Sequence, residues 1–166
     1  MNSRIPVKYL QNSHVRLMPE WLINLKSSSG KEIIRENHDV FPRGVSSLFE
    51  LNGCSIPSLP APAVKAALFK VVRPNLLWAL EGFGVDYNSL CLSQGQIIDF
   101  ARRYPHFVGH GYGTWILFKV NLGFFFATLH TYSGNDPNID VCSLSEMEKN
   151  YCVDYKGCTL VIPFRR

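Results

Sequence analysis

Between Thr114 and Phe126 the chain carries apolar side chains on both strand parities, and no other feature limits the possible folds as much. Thr114–Val120 is rich in β-branched and aromatic residues, Asn121-Leu122-Gly123 reads as a turn, and residues 124–132 read as a second strand. Trp115 and Leu117 share one parity within their strand, as do Phe124 and Phe126 within theirs. Ile116, Phe118 and Phe125 take the other. A strand pair without a polar face is covered on both sides, either by the chain's own helices or by a second chain.

The pattern continues toward the C-terminus. Residues 133–138 (Ser-Gly-Asn-Asp-Pro-Asn) have turn composition, residues 139–144 form a third strand, residues 145–150 supply a polar connection of about one helical turn, and residues 158–164 make a last strand. Residues 114–166 are therefore expected to be a mainly β subregion, an antiparallel meander of about four strands. Residues 1–108 carry apolar residues at helical spacing and form the mainly helical subregion. Helices are expected over 19–25 and over 31–36, the latter with Ser29 as N-cap and Glu32 as its capping-box partner. Further helices are expected over 45–51, closed by Asn52-Gly53, and over 63–72, opened by Pro62. Two more follow over 75–81 and over 94–103, the last capped by Ser93 and stopped before Pro105. A faint repeat at an offset of 31 residues aligns Ala66, Ala67 and Phe69 with Ile97, Ile98 and Phe100, as stacked helical hairpins would. With 166 residues, the chain fits a single α+β domain, its short N-terminal helices packed on the meander.

Composition narrows the class. Charged residues are 18%, below the usual figure of about 25%, while aromatics are 13%. Such a chain has less polar material for its surface, which points to an apolar patch that meets a partner. The net charge of +4 is spread along the chain and forms no basic arm. Five cysteines, an odd number, argue against a fully paired disulfide framework. The first residues lack a secretory pattern, so a cytoplasmic location with free thiols is expected. The most apolar stretch, residues 115–129, is interrupted by Lys119, Asn121 and Gly123 and is too short for a membrane span.

Several residues have the chemistry of a site. His106 and His110 stand four apart and, with Cys152 and Cys158, would make a four-ligand metal set, although the cysteine spacing matches no compact knuckle. Cys54 with His130 or His110 is the nucleophile–base pair an enzyme would use. Cys91 and Cys142 sit among apolar neighbours and read as small buried hydrophobes. The Gly109-His110-Gly111-Tyr112-Gly113 loop lies between a helix and a strand, the reverse of a phosphate-cradling order, and reads as a hinge or tight turn. Gly123-Phe124-Phe125-Phe126 resembles part of the aromatic motif of RNA-recognition-motif sheets. That family separates its two motifs by a helix, whereas here Leu117–Leu122 abuts the aromatic run, and position 122 is Leu where the family has a basic residue. Lys65, Lys70, Arg73 and Trp78 are expected on the solvated face of a surface helix.

The leading expectation is a protein–protein interaction or adaptor module without catalysis, which meets another protein or itself through Trp115, Phe118 and Phe125. The alternatives are a small hydrolase or metal-dependent enzyme at the His/Cys residues, and single-stranded nucleic-acid binding through sheet aromatics. No cofactor is expected.

Overall fold

The computed structural model describes residues 5–108, 112–131, 136–149 and 153–164, the side chains of residues 19–21 apart. The elements in chain order are α1 (Val7–Leu10), β1 (Val15–Leu25), α2 (Leu48–Leu51), β2 (Val64–Val71), α3 (Leu76–Glu81), α4 (Tyr87–Leu90), α5 (Gln94–Arg103), β3 (Thr114–Val120), β4 (Gly123–His130), β5 (Asn138–Ser143), α6 (Leu144–Lys149) and β6 (Thr159–Phe164). Single 3-10 turns lie at Ile34–Glu36 and Pro105–Phe107.

The six strands form one mixed sheet in the order β1-β2-β6-β3-β4-β5. β3, β4 and β5 make the expected antiparallel meander, with Asn121 at φ 53° in the tight β3–β4 turn. β6 does not extend that meander at β5. It inserts between β2 and β3, antiparallel to β2 and parallel to β3. The expected four-strand antiparallel sheet behind N-terminal helices is thus corrected to a larger, mixed one. Its two extra strands come from the region read as helical.

Both misread strands have physical explanations. β2 is central and buried on both faces: Val64, Ala66 and Leu68 join one core, and Ala67, Phe69 and Val71 the other. Such a strand is a continuous apolar run, and periodicity alone cannot separate it from a buried helix. In β1 the register shifts between Leu17 and Leu22. Val15 packs on one side of the sheet while Ile23 and Leu25 pack on the other, so alternation along the sequence is broken. The 31-residue repeat also fails, because Ala66, Ala67 and Phe69 lie on β2 whereas Ile97, Ile98 and Phe100 lie on α5.

The two-sided sheet is covered on both sides by the chain itself. On one face α5, α2 and the irregular segments around Ile34 and Phe41 pack on Leu68, Ile116, Phe118, Leu129 and Val161. On the other, α1, α3, α4 and α6 pack on Phe69, Leu117, Phe126, Leu160 and Ile162. Phe41, Phe49, Phe69, Phe83, Phe100, Phe118 and Phe126 are all buried. Each such side chain contributes about 1.5–3 kcal/mol by leaving water. Much of the aromatic content is therefore core. Among the described residues, no helix is long and apolar enough to cross a membrane.

α5 organises the first face. Ser93 and Gln96 form a complete capping box. Gln94 is wholly buried: its Oε1 accepts from the Ile34 amide at 3.0 Å, and its Nε2 donates to the carbonyls of Cys54 at 3.2 Å and Ile56 at 2.8 Å. Gln96 Nε2 donates to the carbonyls of Pro62 at 2.8 Å and Lys26 at 3.4 Å. At the other end of α5, Asp99 accepts from the Lys26 amide, and Arg103 donates to the Asn24 carbonyl, so the helix caps one end of the β1 edge. Burial opposes the charge on Asp99, but the Arg103 guanidinium and the Lys26 amide hold its carboxyl below the usual carboxylate range. Glu32 accepts from the Ser29 amide as the capping-box reading expects, but only the 3-10 turn follows.

Gln94→Leu strands the Ile34 amide and the Cys54 and Ile56 carbonyls. With buried unsatisfied groups costing about 1–3 kcal/mol each, partly recovered by relaxation, urea unfolding should show a loss of about 3 kcal/mol. Ser47→Ala, at an exposed position without a capping hydrogen bond, should stay within about 0.5 kcal/mol of the parent.

Candidate anion-binding cleft

The residues with expected chemistry do not assemble into one site. Cys54 is buried behind α2, and its S–H points to the Asn52 carbonyl at 3.8 Å. Burial pushes its thiol up to about 11. The other described cysteines behave alike: burial pushes Cys91 and Cys158 up to about 12 and Cys142 up to about 11. Raised in this way, the four thiols are poor nucleophiles at neutral pH. His106 is exposed beside Phe107, which packs on the α5 side of the sheet, whereas Cys158 is in the opposite core. These two proposed metal ligands are therefore on opposite faces. His110 and Cys152 lie outside the described residues. Among the described residues, no group of three His, Cys, Asp or Glu side chains is placed to hold a metal.

Of the expected interaction surface, burial removes Phe118, while Trp115 and Phe125 stay partly exposed. Phe118 is fully buried and stacks on Phe49 at 6.2 Å. Trp115 is half-buried, edge-on to Phe126 and Tyr155, and its indole N–H donates to the Tyr112 carbonyl at 3.1 Å. Phe125 is half-buried against the α5-side core. Phe124, on the other face, is half-buried against Tyr87 with the Lys119 ammonium over its ring. Among the described sheet rings, Phe118 and Phe126 are fully buried, and Trp115, Phe124 and Phe125 pack one side into the cores while part of each stays exposed.

Among the described residues two sizeable clefts stand out. One, of about 540 Å³, lies where residues 57–61 approach Cys91, Leu92 and the end of β3. In it Cys91 S–H donates to the Tyr87 carbonyl at 3.1 Å and Lys119 Nζ donates to Asn88 Oδ1 at 2.9 Å, while the buried Ser58 Oγ has no hydrogen-bond partner.

The other, of about 560 Å³, is lined by Arg16, Lys70, Val71, Val72, Tyr112, Asp154, Lys156 and Gly157. The β1–β2 register puts Arg16 directly opposite Lys70. Residues opposite each other in an antiparallel pair project from the same face, so two exposed cations stand side by side. Lys156 joins them from the turn before β6. That turn is tied to β2 by the Gly157 amide donating to the Val71 carbonyl at 2.9 Å. Among the described residues, none of these three cations enters an ion pair. The one lining carboxylate, Asp154, accepts from the Lys156 amide at 2.8 Å. Tyr112 closes the cleft with a largely exposed ring, 64% accessible, resting against Gly157.

This constellation was not legible in the sequence. Arg16, Lys70, Tyr112 and Lys156 are far apart along the chain, and only the strand register brings the first two together. On a helix, Lys65, Lys70, Arg73 and Trp78 would share a face. On β2, the odd separation of Lys65 and Lys70 sends them to opposite faces, and Trp78 sits on α3 against His14. Comparison of the chain with family models, curated proteins and solved structures finds no match.

His130 ends β4, half-buried against Gly113, where an added Cβ would come within 2.6 Å of its Cε1. Burial pulls its imidazole below the ordinary 6.5, against the attraction of Asp140. The unfolded chain therefore takes up this proton at higher pH than the folded one. The resulting stabilisation is complete above about pH 6.5 and is lost as pH falls from there through the lower folded value. Urea midpoints of the parent should drop across that window, and those of His130→Gln should drop less.

Proposed function

We propose that the protein is a non-catalytic binding module that holds an anionic group of its partner in the cleft formed by Arg16, Lys70 and Lys156. One observation carries this reading: Arg16 and Lys70 oppose each other across β1 and β2 with no carboxylate paired to either among the described residues. Like charges in that position oppose folding, and an anion seated between them converts the repulsion into shared attraction. The net charge of +4 favours the same class of partner. An acidic stretch of another protein and a phosphate-bearing ligand share the chemistry that this cleft recognises. The adaptor reading is thereby kept, with its binding surface moved from Trp115, Phe118 and Phe125 to the basic cleft. A cysteine hydrolase draws no support from the four described thiols, two buried and two half-buried, whose pKa values burial raises.

Titrating the intact protein with inorganic polyphosphate while following backbone amide resonances tests this. Shifts should cluster at Arg16, Lys70 and Lys156 and weaken as salt is raised. Shifts that settle elsewhere, or none at all, would remove the reading. Lys70→Glu should abolish the effect and yet raise the unfolding free energy by about 0.2–1 kcal/mol, because Glu opposite Arg16 replaces a like-charge pair. Loss of both binding and stability would mean that Lys70 serves the fold.

A further inference from the structure

We infer that the ligand of this cleft is a nucleotide unit, a planar base joined to phosphate, with the phosphate on Arg16, Lys70 and Lys156 and the base on Tyr112. The inference rests on the anion-binding reading above and adds the aromatic part of the ligand. Three cations in one cleft suit a phosphate, which offers several oxygens and more than one charge, better than a single carboxylate. Guanidinium forks match phosphate oxygens two at a time, and lysines serve as point charges beside them.

Tyr112 supplies what an anion site alone does not need. Its ring lies in the same cleft, 64% exposed. It is also held in place. The ring rests on Gly157, where a Cβ would sit 3.3 Å from a ring carbon, and Gly157 adopts φ 97°, a conformation that favours glycine. The Tyr112 carbonyl accepts from the Trp115 indole at 3.1 Å, and Trp115 is itself wedged between Phe126 and Tyr155. The main chain that carries the ring is thus anchored beside the cations, and the ring keeps an exposed face for a base. Cations that track phosphate beside an aromatic platform are the parts from which single-strand binding sites are made. The cleft volume of about 560 Å³ falls within the range of small-ligand sites. The sheet phenylalanines play no part in this arrangement.

The probes are inorganic pyrophosphate, ADP, a short oligothymidylate and an abasic deoxyribose-phosphate oligomer of the same length, each titrated calorimetrically into the intact protein. ADP should bind more tightly than pyrophosphate, and the oligothymidylate more tightly than its abasic counterpart. Tyr112→Ala should weaken the base-bearing ligands about tenfold and leave pyrophosphate nearly unchanged, while Tyr112→Phe should retain affinity for all. Tighter binding of the strand than of ADP, with a steeper salt dependence, identifies single-stranded nucleic acid as the source, and the reverse order identifies a free nucleotide. Equal binding with and without bases, or indifference to Tyr112→Ala, overturns the nucleotide inference and leaves the anion reading standing. If pyrophosphate and all the other probes fail to bind, both fall together.

Discussion

The first turn of α5 does for one side of this molecule what secondary structure does elsewhere. Between the end of β1 and the start of β2 the chain has a 3-10 turn, a single α-helical turn and otherwise irregular backbone. Irregular backbone over a core needs partners for its amides and carbonyls. Gln94 and Gln96 supply them at five points, at Ile34, Cys54 and Ile56 and at Lys26 and Pro62. Each glutamine amide carries two N–H donors and a carbonyl acceptor, whereas a hydroxyl has a single donor and an ionised carboxylate has none. Where the segment crosses itself, Gly30 has φ 82°, and its Cα comes so close to Ser58 that a Cβ would lie 2.4 Å from the Ser58 carbonyl oxygen.

That arrangement permits a sheet with two apolar faces in a single chain. The second face is closed more simply, by α1, α3, α4 and α6, none longer than six residues. Helices this short have little stability of their own and are held by the residues they bury. Apolar content that suggested an exposed patch is largely consumed by these two interiors. The polar residues left over gather at the sheet's margins, and one such margin is the cleft of Arg16, Lys70, Lys156 and Tyr112.

Legibility in the sequence follows from how local the determining physics is. The Ser93 cap, the helices that follow Asn75 and Ser93, the Asn121 turn and the first three strands of the meander are decided by residues near one another, and they match the expected positions closely. The tight β3–β4 connection needs a residue that tolerates positive φ, and Asn does so. β2 was illegible because burial on both faces erases periodicity, and its alanines and leucine favour helix until neighbouring strands override them. β1 was illegible because its register break moves the buried parity from one side to the other. The candidate site was hidden for the same reason as these strands, since it exists only once β1 and β2 are paired. The histidines and cysteines, which drew attention as reactive residues, are in their described members mostly core fillers or isolated surface groups.

The insertion of β6 has a consequence for how the molecule comes together. β1 with β2, and β3 with β4 and β5, are each paired through neighbours in the chain, but these two groups meet only through β6. β6 joins β3 over just two residue pairs, Thr114 with Thr159 and Trp115 with Leu160. Beyond them the Leu92 amide bonds to the Leu117 carbonyl, filling the gap where the strands part. Without β6, the β1–β2 pair and the β3–β4–β5 meander would each present an unpaired inner edge. The turn that carries Lys156 and Gly157 is set in place with that strand. The cleft of Arg16, Lys70 and Lys156 is thus complete only when the keystone strand is seated.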